Sequence, residues 1–164
     1  MDRATYDLAR QVIEDFTAVG WTIATVESCT GGLVAGALTE IPGSSAVVDR
    51  GFVTYSNQAK IDLVGVDPQT LADHGAVSEP VARLMAEGGR ARAGVDVCLS
   101  VTGVAGPGGG TERKPVGLVH FGCASAGDTV HREERFGDLD RGTIRRKSVE
   151  TALRLLLAAV SRTS

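Results

Sequence analysis

The chain has 164 residues, 43% hydrophobic and 23% charged, with 17 basic against 20 acidic side chains and a formal charge of −3. That is the size and balance of one globular domain, which excludes disordered and collagen-like polymers, and a pI of about 5.6 speaks against a nucleic-acid binder. Three well-separated cysteines without a CxxC pair support neither a disulfide framework nor a zinc site. No apolar run approaches the roughly 20 residues of a membrane span, and the charged, amphipathic start is not of signal-peptide type. The expectation is a soluble, cytoplasmic protein without metal or cofactor. Its 21 glycines suggest close backbone approaches at several turns.

Leu8, Val12, Ile13, Phe16 and Val19 recur at helical spacing and predict a helix over 3–19, ended by Gly20. Trp21 to Val26 reads as a strand, and Leu33 to Thr39, beyond Glu27-Ser28-Cys29-Thr30-Gly31-Gly32, as a helix. A second strand runs from Val47 to Tyr55. Ser56 then caps a short helix through Val64 with Gly65 as its stop. Asp67-Pro68 starts another short helix ending at Gly75, and Ser78-Glu79-Pro80 opens a longer one. Val95 to Val101 is a third strand, followed by the glycine-rich loop from Thr102 to Thr111. Val116 to Ala124 and the more polar Thr129 to Phe136 form a hairpin around Gly127-Asp128, with the last strand at an edge. A final helix covers about 141–161. Strands alternating with helices, plus this hairpin, give a layered α/β domain with a mixed sheet.

Four stretches carry candidate chemistry. In Glu27-Ser28-Cys29-Thr30-Gly31-Gly32 a strand turns directly into a helix, leaving amide groups that suit an anion or oxyanion. Read alone, it fits a nucleophile turn and a capped helix equally. Cys29 lacks a thiolate partner and reads as a buried structural residue. In Gly51 to Lys60, Tyr55 sits at a strand end and Lys60 one turn into the next helix. Alone, Lys60 is a solvated helix lysine; beside an exposed serine it becomes a base, provided burial lowers its pKa. His74, His120 and His131 have no triad spacing, so a Ser-Lys arrangement has more support than Ser-His-Asp. The loop from Thr102 to Gly110 fails the P-loop and GxGxxG patterns, yet follows a strand where α/β domains bind ligands. Finally, Arg141, Arg145 and Arg146 cluster at the start of the last helix, against its dipole; a bound phosphate or simple solvent exposure would account for them. Asp138 and Asp140 read as helix-start residues.

Together these stretches resemble the carboxyl-terminal domain of the CinA (competence/damage-inducible) proteins, a family whose stand-alone members are PncC-type nicotinamide-nucleotide amidases. The matching segments are ESCTGG at 27–32, IPGSS at 41–45, RGFVTYSNQAK at 50–60, HGAVSEPVA at 74–82, VTGVAGPGGGTERKPVG at 101–117 and Arg141-x-x-x-Arg145. The resemblance implies one three-layer α/β/α domain over 1–164, with a mixed, mostly parallel sheet. It implies hydrolysis of the carboxamide of nicotinamide mononucleotide, with Ser28 as nucleophile and Lys60 and Tyr55 assisting. Thr30, Gly31, Gly32, Thr102, Gly103, Ala105 and Gly106 would line the substrate pocket. The stretch Gly137-Asp138-Leu139-Asp140-Arg141 is two residues longer than the family's Gly-Asp-Arg, so Arg141 or Arg145 would take the phosphate. The resemblance further implies a homodimer, with no nucleic-acid or membrane partner. The alternative reading is a non-catalytic nucleotide-binding or competence-associated interaction domain.

Overall fold

A computed structural model describes residues 1–162, so the last two residues of the expected domain lie outside the described residues. The chain order is α1 (Arg3–Val19), β1 (Ile23–Glu27), α2 (Leu33–Thr39), a 3₁₀ turn (Ser44–Ala46), β2 (Val48–Val53), α3 (Asn57–Val64), α4 (Pro68–His74), α5 (Glu79–Ala93), β3 (Val97–Gly103), β4 (Leu118–Ser125), β5 (Asp128–Arg135) and α6 (Arg141–Ser161). Short acceptor side chains set most helix starts. Asp2, Ser56, Asp67, Ser78 and Asp140 each accept the amide three residues on. Gly20, Gly65 and Gly94 end α1, α3 and α5 in the left-handed conformation. Strand starts are less local. Trp21 and Thr22 fall outside β1 because the Thr22 amide donates 2.8 Å to the Asp96 carboxylate instead of joining the ladder.

The sheet order is β2-β1-β3-β4-β5. β1 pairs parallel with β2 and β3, while β3–β4 and β4–β5 are antiparallel, so β4 alone runs against the others. Period-two alternation divides the strands between two cores. Ile23, Val97, Leu99, Val119 and Phe121 pack against Val12 and Phe16 of α1 and Ile144, Leu153 and Leu156 of α6. Ala24, Val26 and Cys98 face the other way, onto Val64 of α3 and Val81 and Met85 of α5. The result is the three-layer α/β/α domain with a mixed sheet. Each fully buried Leu or Phe contributes about 1.5–3 kcal/mol.

The α5 layer lies close on β4. Ser100 Oγ donates to Ala82 O at 2.6 Å and accepts from Gly122 N at 3.0 Å, stitching helix to sheet. A Cβ at Gly122 would stand 2.5 Å from that same Ala82 carbonyl. Gly122→Ala is expected to lower stability by about 1–3 kcal/mol through this overpacking; a denaturant melt showing an unchanged midpoint would refute the close contact.

Candidate active site

Where β1 ends, the chain turns through Ser28 to Gly32 into α2. Gly31 (φ 58°) and Gly32 (φ 101°) take left-handed backbone angles that disfavour any Cβ. The Ser28 amide donates to Val101 O at 2.9 Å, and the Gly31 amide to Ser28 O at 3.0 Å. On the neighbouring strand, Thr54 N donates 2.8 Å to Glu27 O, extending the β1–β2 ladder one residue past Val53.

Because Ser56 caps α3, Lys60 falls one turn into the helix and reaches back under this ladder. Its Nζ donates to Thr54 O at 2.8 Å, lies 3.5 Å from Tyr55 O at the limit of a hydrogen bond, and stands 3.1 Å from Ser28 Oγ. Lys60 is only 1% exposed and Ser28 9%. Burial pulls the Lys60 amine below the ordinary lysine value of 10.5, with the neighbouring Cys29 acting weakly in the opposite direction. Burial pushes the Cys29 thiol up to about 12, which leaves it inert as a nucleophile.

Glu27, unassigned in the sequence, is 1% exposed and accepts from Thr30 Oγ1 at 2.7 Å, Val34 N at 2.8 Å and Ala35 N at 3.1 Å. It therefore takes the first free amides of α2, whose N-cap position is the side-chain-less Gly32. Those amides are not open to a ligand. The Thr30 hydroxyl is likewise turned inward.

The remaining predicted residues occupy distinct places. Tyr55 is 63% exposed, and its hydroxyl accepts from Arg141 Nη2 at 3.2 Å rather than meeting Lys60. Arg141 Nη1 also donates to Gly106 O at 2.8 Å, bridging the β2–α3 link to the glycine-rich loop. Arg145 Nε donates to Cys29 O at 3.1 Å and its Nη2 to Thr30 O at 3.2 Å. Thr102 Oγ1 donates to Ala76 O at 2.9 Å, and Ala105 is buried in the core. Gly103 packs on β4, where a Cβ would stand 2.8 Å from Leu118 O. The histidines stay apart from Ser28: His120 Nδ1 and His131 Nε2 lie 2.8 Å from each other. Among the described residues, no group of three His, Cys, Asp or Glu could hold a metal, and no helix is long and apolar enough to cross a membrane.

The α/β domain thus sets a serine at the carboxyl end of an interior strand with a buried lysine amine in hydrogen-bond reach. The family model for the CinA C-terminal domain matches residues 5–160, and the chain belongs to that family. It is 49% identical over 156 residues to the nicotinamide-nucleotide amidohydrolase PncC of Escherichia coli strain K12, covering 94% of each chain. It is 53% identical over 141 residues to a CinA-like protein of Mycobacterium marinum, covering 85% of this chain and 33% of that one. Among solved structures, the competence/damage-inducible protein CihA from Agrobacterium tumefaciens superposes with a TM-score of 0.95, at 53% identity over 96% of both chains. A CinA superfamily protein from Klebsiella pneumoniae gives 0.92 at 35% identity, over 96% and 98% of the two chains.

The Lys60 environment sets the sign of a stability effect. Below its lowered folded-state pKa the native protein holds a buried ammonium at a cost; as pH rises towards 10.5 the unfolded chain keeps more protons and that cost fades. Lys60→Met is therefore expected to gain stability over the parent near pH 7, the gain shrinking towards pH 10. Urea melts across that range check it, and an advantage that grows with pH would reverse the assignment.

Proposed function

We propose that this protein hydrolyses the carboxamide of nicotinamide mononucleotide to nicotinic acid mononucleotide and ammonia, with Ser28 as nucleophile and neutral Lys60 as general base. The single observation that carries this reading is the 3.1 Å separation of Lys60 Nζ and Ser28 Oγ in a buried setting. The 49% identity to a nicotinamide-nucleotide amidohydrolase over 94% of the chain supports the substrate.

A neutral amine has two N–H groups and one lone pair. The carbonyls of Thr54 and Tyr55 occupy the N–H groups, so the lone pair is left for the Ser28 hydroxyl. Lys60 takes the Ser28 proton as Oγ bonds to the carboxamide carbon. Lys60 then returns that proton to the nitrogen as the C–N bond breaks and ammonia leaves. Water, deprotonated by the same amine, attacks the acyl-enzyme and frees Ser28. In this scheme Tyr55 serves Lys60 through its carbonyl, while its hydroxyl steadies Arg141. Arg141, which bridges Tyr55 and Gly106, is the arginine we assign to the substrate phosphate.

Purified protein is expected to release ammonia from nicotinamide mononucleotide, and Ser28→Ala to lose at least about 10³-fold in kcat with the fold retained. Near-parental turnover in that variant would sink the mechanism. Since Lys60 must be neutral, kcat/KM is expected to climb with pH along a limb whose midpoint lies below 10.5. A rate that falls as pH rises over that range would remove Lys60 from the role of base.

A further inference from the structure

The Ser28–Gly32 turn is gripped by two side chains that bond neither Ser28 Oγ nor Lys60. Arg145, just beyond the first turn of α6, holds the carbonyls of Cys29 and Thr30 at 3.1 and 3.2 Å. Glu27 holds the Thr30 hydroxyl and the Val34 and Ala35 amides at 2.7, 2.8 and 3.1 Å. A trans peptide points its N–H and C=O in opposite directions. With the Cys29 carbonyl drawn to Arg145 of α6, the Thr30 N–H of that peptide points away from the guanidinium, and α6 packs on the sheet face opposite the α3 layer that brings Lys60 to Ser28. Of the other amides, Gly31 N is engaged by Ser28 O, Leu33 N by Thr30 O, and Val34 N and Ala35 N by Glu27, while Cys29 N and Gly32 N belong to peptides whose carbonyls Arg145 does not hold. The Thr30 amide donates to no protein acceptor among the described residues.

We propose that Arg145, together with Glu27, is a positioning residue that orients the Ser28–Gly32 turn so that Thr30 N–H receives the oxyanion formed on the carboxamide. The inference rests on the serine-amidase reading above. Two nitrogens of the Arg145 guanidinium are committed to backbone carbonyls, a fork geometry that a lysine cannot reproduce. Misdirecting one oxyanion donor costs about 10²–10³ in kcat, and substrate binding is untouched because the oxyanion exists only in the transition state.

The test is steady-state ammonia release from nicotinamide mononucleotide by the parent, Arg145→Gln, Arg145→Lys and Glu27→Gln, with melting temperatures measured alongside. Both Arg145 variants are expected to lose roughly 30-fold or more in kcat with KM within about threefold, and Glu27→Gln to follow the same pattern more weakly. Were Arg145 a phosphate ligand, Arg145→Gln would raise KM about tenfold with kcat retained, and Arg145→Lys would restore binding; that result overturns the proposal. A lowered melting temperature with unchanged kcat at temperatures where the variants stay folded also overturns it, leaving a purely structural clamp. If Arg145→Gln fails to fold, Arg145→Lys decides alone on the same KM-against-kcat criterion. A parent that releases no ammonia would overturn the amidase reading itself, an outcome separable from any pattern among the variants.

Discussion

The Lys60 amine is the constraint around which the site is arranged. A lysine amine that is 1% exposed is costly to bury unless its hydrogens are matched, and the neighbouring elements contribute to the matching. Ser56 fixes where α3 begins and Gly65 where it ends. The parallel β1–β2 pairing, carried one residue on by Thr54 N to Glu27 O, sets the Thr54 carbonyl 2.8 Å from Nζ. The same ladder holds the end of β1, so Ser28 emerges beside the amine. Without the pairing, the lysine would be an ordinary solvated helix residue.

The turn beyond Ser28 satisfies a second constraint, the free amides of a seven-residue helix with no side chain at its N-cap. Glu27 supplies that cap from the strand side. A carboxylate in this place stabilises the helix start and also removes it as a binding site for a substrate anion. Anion binding at the start of α2 is thereby closed off, while the Thr30 amide of the turn before it keeps no protein acceptor among the described residues.

Local signals made most of the fold legible in the sequence. Helices such as 3–19 and 57–64 carry their own caps and stops, Asp2 with Gly20 and Ser56 with Gly65, so their bounds follow from neighbours in the chain. The edge position of β5 follows from its polar residues. Strand starts shift where a distant partner competes, as Asp96 does for the Thr22 amide. Within the site, Ser28 and Lys60 are 32 residues apart and are joined only through the sheet, so their approach is tertiary information. Glu27 did leave a trace: an acid closing an apolar strand must find donors, and a short helix opening on Gly-Gly lacks its own cap. Tyr55 lies five residues before Lys60, and it is its backbone carbonyl that approaches the amine while its hydroxyl meets Arg141, an arrangement that sequence spacing does not specify.

The arginine cluster shows how a single electrostatic oddity resolves into different roles. Three cations, Arg141, Arg145 and Arg146, stand at the positive end of α6, each unfavourable there on dipole grounds. Arg145 is offset by two carbonyls of the Ser28–Gly32 turn, and Arg146 by the Thr143 hydroxyl at 2.8 Å. Arg141 has one carbonyl and the hydroxyl of a mostly exposed tyrosine. The most buried of the three is thus spent on protein geometry, while Arg141 is exposed to solvent. On the proposed reaction, such a division would leave phosphate recognition to Arg141 and carboxamide cleavage to Ser28 and Lys60, with Arg145 holding the turn from Ser28 to Gly32.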